Sequence, residues 1–149
     1  MARTYRLGPG TRLVNRVFAG MTRAGLGASY RHILTVRGRR TGRLYSTPVD
    51  VIETAGHRWL VAGYGPSSWT LNARAAGEVT LSRGRSAQRY TVTEPAPADA
   101  VPVLRTYMAQ IRVTRPYFDA VPDSTDDVVM AELPRHPVLQ LTPAGPRLP

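Results

Sequence analysis

Cysteine is missing from this 149-residue chain, and so is lysine. The first absence excludes disulfides, thiol nucleophiles and thiolate-held zinc or iron–sulfur sites. Histidine is scarce: His32, His57 and His136 stand singly, which is not the pattern of a histidine metal site. Paired carboxylates are scarce as well. Asp50 and Glu53 are three residues apart in a strand-like segment, so they fall on opposite faces. No serine has a Gly-x-Ser-x-Gly setting. Asp123, Asp126 and Asp127 lack calcium-loop spacing and read as solvated acids at a helix start. Long apolar runs are also absent. Arg3, Arg6, Arg12, Arg16 and Arg23 interrupt the N-terminal stretch, which does not read as a signal peptide, and no segment reaches bilayer-spanning length. An enzyme with so few catalytic groups of its own would lean on an organic cofactor, the protein supplying binding and orientation.

What the chain does have is arginine. All 20 basic residues are arginine, set against 10 acids for a net charge of +10. Residues 1–93 hold 15 of them against three acids, Asp50, Glu53 and Glu78, whereas residues 94–149 hold 5 against 7. Proline divides the other way, 3 in residues 1–94 and 10 in residues 95–149. A basic, glycine-punctuated body therefore precedes a slightly acidic, proline-broken tail. The body suits an anionic partner: a phosphate, a polycarboxylate, a nucleic acid or a membrane surface. The length predicts a single domain over residues 1–149, and 42% hydrophobic residues supply its core.

Leu13, Val14, Val17, Phe18 and Met21 have helical spacing, predicting an amphipathic helix over about 11–25 that Gly25 and Gly27 end. Strands are predicted at 30–36, 44–53, 57–62, 79–82, 86–93 and 138–141. Pro48 cannot donate to a ladder, so it is expected at an edge or bulge. A short helix over 69–76 should be capped by Ser67 or Ser68. A second is expected over 98–110 with Pro102 in its first turn, and a third should open at Ser124. Turns of hairpin length make the sheet antiparallel. The fold class is thus α+β, a small antiparallel barrel of about six strands with flanking helices.

Two segments are candidate binding elements. Gly38-Arg39-Arg40-Thr41-Gly42, flanked by Arg37 and Arg43, places guanidinium forks on a tight turn, a seat for an anion. The same residues also read as an ordinary solvated hairpin tip. Gly63-Tyr64-Gly65 leads into the helix start at Ser67 and Ser68, where backbone can approach a ligand and free N–H groups favour negative charge. A simple strand-to-helix connector is the alternative. Trp69 and Asn72 on that helix read equally as core and cap.

In this order TVRGRRTG (35–42), STPVDV (46–51), LVAGYG (60–65), WTLNARAAGEVTL (69–81), RGR (83–85), RPYFD (115–119) and PRHPVLQL (134–141) resemble the deazaflavin-dependent nitroreductase family, small split β-barrel proteins of actinobacteria. The likeness spans about residues 12–142. It implies coenzyme F420 as cofactor, a deazaflavin whose phosphodiester and oligoglutamate tail are anionic, with flavin mononucleotide (FMN) as the alternative. By position, Arg39, Arg40 and Thr41 match the phosphate- and tail-binding turn. Gly63, Tyr64 and Gly65 match the loop over the cofactor, Trp69 and Asn72 the helix beside its side chain, and Thr47, Pro48 and Val49 the strand facing its ring. The sequence departs where better-studied members carry lysine, in the turn and the glycine loop; Arg40 and Tyr64 stand there.

The function implied is hydride transfer from reduced F420 to a quinone, nitro compound or enone, with Tyr64 and Tyr117 as candidate catalytic residues. The alternative is a non-catalytic carrier of a lipid or other hydrophobic ligand in the same groove. Aromatics are only 7% and lie in core-like segments, so nucleic acid is not an expected partner. The expected partners are a small-molecule substrate, a second copy of the chain as a homodimer, and peripheral membrane contact through the N-terminal helix. That helix also reads as a cap on the open barrel end. The expected location is the cytoplasm, with membrane association through that helix. Tyr107, Tyr117 and Phe118 form an aromatic segment that reads either as a substrate lid or as core.

Overall fold

The computed structural model describes Ala2 and residues 29–145, so the helix expected over 11–25 lies outside the described residues. Six strands form the body: β1 (Arg31–Arg37), β2 (Leu44–Thr54), β3 (His57–Val61), β4 (Glu78–Arg83), β5 (Ser86–Thr93) and β6 (Val138–Pro143). They close into a barrel in the order β1-β2-β3-β6-β5-β4, every pair antiparallel. Helix α1 (Ser68–Ala76) lies between β3 and β4. Helix α2 (Pro97–Gln110), a 3-10 helix (Arg112–Tyr117) and α3 (Asp126–Met130) lie between β5 and β6.

Side chains alternate across a strand, and where β2, β3 and β6 meet both faces are covered, giving two apolar clusters. Leu34, Val51, Leu60, Val79, Leu81, Leu139 and Leu141 fill the barrel, with Ala73 of α1 packed among them. The neighbours one residue away, Ile52, Trp59, Val61 and Val138, face outward. There they pack under α2 through Val101, Leu104 and Met108. That is why β3 carries three consecutive buried residues, Trp59, Leu60 and Val61.

Two helix starts differ from expectation. α2 begins at Pro97, which takes the first-turn position where a missing N–H costs nothing. Pro102 falls inside the helix instead of in its first turn. α3 begins at Asp126 with Thr125 as N-cap. Ser124 is used upstream, its Oγ accepting the Val121 N–H at 3.0 Å.

β2 is the longest strand, and its pairing positions the site. Its residues 44–50 pair with β1, while only 51–54 pair with β3. One edge of the first seven residues is therefore without a strand partner. The Val51 N–H donates to the Tyr30 carbonyl at 2.8 Å, so odd-numbered backbone groups of β2 point to β1 and even-numbered ones to the other side. Pro48 pairs with Ile33 at a position whose backbone faces that free edge, where its missing N–H breaks no ladder bond.

Candidate active site

A cavity of about 840 Å³ opens where β2 parts from β3. Its walls are the free β2 edge, the turn after β1, the loop after β3 and the start of α1. Every cofactor-binding position inferred from the resemblance, from Arg39 and Pro48 to Gly65 and Asn72, lines it. The strand details differ from expectation in one respect. Thr47 and Val49 turn their backbone groups toward β1, so the edge facing the cavity is made by Ser46, Pro48 and Asp50.

The arginine turn is braced from within. The Gly38 N–H donates to the Arg43 carbonyl and the Gly42 N–H to the Gly38 carbonyl. Thr41 Oγ1 accepts the Arg43 N–H at 3.2 Å and shares a hydrogen bond with the Tyr45 hydroxyl at 3.1 Å, so its hydroxyl shapes the turn. Arg39 donates to buried Asn72 Oδ1 twice, from its backbone N–H at 3.0 Å and from one guanidinium nitrogen at 2.8 Å. Asn72 thereby ties the turn to α1. Arg40 is exposed and its guanidinium has no partner among the described residues.

The glycine loop is held by different means at its two glycines. A Cβ on Gly63 would stand 1.9 Å from the Tyr107 hydroxyl and 2.9 Å from Thr114 Cγ2. The space beside Gly63 thus belongs to Tyr107, not to a ligand as the sequence suggests. Gly65 adopts φ +98, a backbone conformation that L side chains rarely reach. Ser67 is the N-cap of α1 yet caps nothing, and its buried Oγ has no partner.

At the cavity floor lie Asp50 and Tyr107. Burial raises the Asp50 carboxyl above its ordinary range, and Arg31, 3.3 Å away, opposes that shift. Burial also drives the Tyr107 phenol well up, against a hydrogen bond with the Thr114 hydroxyl, so Tyr107 stays protonated. The sequence does not mark Asp50 as part of the site, and it offers Tyr107 as lid or core, not as part of the cavity floor. Tyr107 has core spacing with Ala100, Val103 and Leu104, and only the gap left by Gly63 lets its hydroxyl reach the cavity.

The aromatic segment divides. Tyr107 and Phe118 belong to the core under α2, which removes them from a lid. Tyr117 packs edge-on against Tyr64 with centroids 5.3 Å apart, and Tyr64 is 42% exposed at the cavity rim. Behind them His136 stacks on Phe118 at 3.7 Å and bonds the Ala62 and Tyr117 carbonyls. Among the described residues no group of three or more histidines or acids is placed to hold a metal, and no helix is long and apolar enough to cross a membrane.

Comparison with known proteins follows this geometry. No curated protein matches the chain. An F420-H2 dependent reductase structure is similar at TM-score 0.55 and 16% identity, covering 76% of this chain and 95% of that one. A domain-swapped dimer matches at TM-score 0.54 and 16% identity, over 88% and 95%. A nimC/nimA family protein from Clostridium acetobutylicum matches at TM-score 0.50 and 15% identity, over 85% and 78%. At these identities the likenesses establish the split-barrel fold. Family assignment comes from the sequence itself, where the model described as F420H(2)-dependent quinone reductase matches residues 13–130. The chain belongs to the F420H(2)-dependent quinone reductase family, an oxidoreductase family whose cofactor is coenzyme F420.

Proposed function

We propose that the cavity holds F420 with its anionic tail against Arg39 and Arg40, its ring along the β2 edge near Pro48, and its side chain beside Trp69 and Asn72. The substrate is a quinone or a related electrophile such as a nitro compound or enone. One observation carries this reading. The unpartnered Arg40 and the Asn72-fixed Arg39 stand at one end of an 840 Å³ cavity whose wall is an unpaired strand edge. The buried, unpartnered Ser67 Oγ at the start of α1 adds a donor where an anion is favoured.

Bound in reduced form, the cofactor supplies a hydride from its ring. The chain's own work is placement. The Asn72 bond holds the Arg39 side chain in one orientation, so less side-chain freedom is lost when an anion binds. Carbonyls and N–H groups of Ser46 and Asp50, with the Pro48 carbonyl, offer a rigid row of polar groups to a planar ring. Gly63 to Gly65 carry Tyr64 over the rim, and Tyr117 holds that ring edge-on. Tyr64 is the group that delivers the proton balancing the hydride. Orientation of the two reactants supplies most of the rate effect.

Titration of the purified chain with F420, FMN and a fatty acid, followed by quenching of Trp69 and Trp59 emission, tests the cofactor placement. Saturable quenching by F420 that weakens with salt is expected. Tighter quenching by FMN or the fatty acid overturns it. Oxidation of F420H2 by menadione, a nitroimidazole and cyclohexenone then ranks the substrate classes.

A further inference from the structure

His136 is 2% exposed, and both of its ring nitrogens face carbonyl oxygens. Nδ1 lies 3.0 Å from the Ala62 carbonyl and Nε2 lies 2.8 Å from the Tyr117 carbonyl. A carbonyl only accepts, so both nitrogens must donate, and only the doubly protonated ring has two N–H groups. A buried cation needs a counter-charge, and one is present. Glu132, 1% exposed, places Oε2 3.6 Å from Nε2, while its Oε1 accepts the N–H groups of Asp119 and Ala120 at 2.7 and 2.8 Å.

We propose that His136 stands as an imidazolium paired with Glu132 and acts as a positioning residue. It clamps the carbonyl ahead of Gly63 and the carbonyl of Tyr117, setting Tyr117 against Tyr64, which lines the cavity. The clamp joins two carbonyls that lie 74 and 19 residues from His136 in sequence, through a ring that itself stacks on Phe118 at an interplanar angle of 14°. The surrounding charges balance. Arg135 donates to Glu132 Oε2 at 3.0 Å and to Asp119 Oδ2 at 2.8 Å, so two cations face two carboxylates. The loop after β3 offers the ring its Ala62 carbonyl. From the 3-10 helix and α2, the titratable groups nearby are the phenols of Tyr117 and of Tyr107, the latter tilted against Phe118. Loss of the ring proton leaves one carbonyl facing a bare nitrogen and Glu132 short of its partner, which loosens one arm of the clamp. The positioning role rests on Tyr64 meeting substrate as proposed above; the protonation state does not.

The test is a nitrogen-15 spectrum of the imidazole rings of the full chain without cofactor. With two other histidines present, the spectrum of His136→Phe assigns the His136 signals by difference. Two protonated nitrogens on this ring at neutral pH are expected, and one bare nitrogen overturns the proposal. In steady-state quinone reduction, His136→Phe should raise quinone KM about tenfold with kcat and F420H2 affinity changed less than about threefold. His136→Gln, which keeps one donating nitrogen in place of two, should fall between. Unchanged KM in both variants overturns the positioning role, and where His136→Phe does not fold, the Gln variant and the wild-type spectrum still decide. Failure of the cofactor reading would show separately, as absent F420H2 binding.

Discussion

Gly63→Ala adds one methyl group at the point where the glycine loop meets the helical layer. Its Cβ would stand 1.9 Å from the Tyr107 hydroxyl, 2.7 Å from the ring Cζ and 2.9 Å from Thr114 Cγ2. Tyr107 is 3% exposed and belongs to the core under α2, so it has little room to withdraw. Overpacking of this kind costs about 1–3 kcal/mol, and alanine's stiffer unfolded chain returns only about 0.4–1 kcal/mol of that. A net loss of about 1.3 kcal/mol corresponds to a Tm lower by roughly 3–5 °C in a domain of this size. The double variant Gly63→Ala/Tyr107→Phe removes the closest contact but leaves Cζ at 2.7 Å, so it should recover part of the loss and not all. Thermal melts of the four proteins, with F420 titrations in parallel, check both the cost and its source. Because the shifted loop carries Tyr64, quinone KM should worsen along with stability. Strictly additive melting shifts, or an unchanged Tm for Gly63→Ala, would refute the reasoning.

Arg40→Ala should weaken F420 binding by about 1–3 kcal/mol, the range of charge-assisted hydrogen bonds, without moving the Tm. Arg39→Ala should weaken binding and also lower the Tm, since it removes the guanidinium bond to buried Asn72; isothermal titration and melts separate the two. Tyr117→Ala should change quinone KM or substrate preference while F420 affinity stays within about threefold, under roughly 1 kcal/mol; stopped-flow oxidation of F420H2 reads both, and a large Tm loss with unchanged preference would place Tyr117 in the core instead. Burial, outweighing a bond to the Tyr30 carbonyl, holds the His32 imidazole below its ordinary 6.5. Between its folded and unfolded values the unfolded chain therefore binds more protons, so His32 makes stability rise with pH through the window below 6.5. His32→Gln should flatten that part of a Tm-against-pH curve relative to wild type.

The strands were legible because alternation and turn residues agree locally. All six appear within about two residues of expectation, and the Ala55-Gly56 turn, both residues at positive φ, closes β2 onto β3. The arginine turn and the glycine loop were legible as binding elements for the same reason, being breaks between strong periodic segments. What stayed hidden depends on partners distant in sequence. Nothing local tells that Asn72 will hold Arg39, 33 residues away, or that the space beside Gly63 belongs to a tyrosine on α2. Pro102 was placed one turn early because Pro97 offers the better start, a competition between two prolines that pattern alone does not rank. Glu132 and His136 sit beside Pro134 and Pro137, between α3 and β6. Their burial follows from the two-sided core and not from their own neighbours.

The two apolar clusters share their strands, and this has a consequence for how the chain finds its register. In β3, Leu60 points into the barrel while Trp59 and Val61 point under α2. A slip of one residue would turn the strand inside out, sending tryptophan into a lumen shaped for leucine and leaving leucine beneath the helix. A half-buried strand keeps one face in solvent; from Trp59 to Val61 this one has no solvent face to retreat to. Misregister is thus penalised twice over, and the barrel and its helical layer must lock in a single event. A folding experiment that follows Trp59 and barrel hydrogen exchange together should find one transition, with no species in which the barrel has closed before α2 docks.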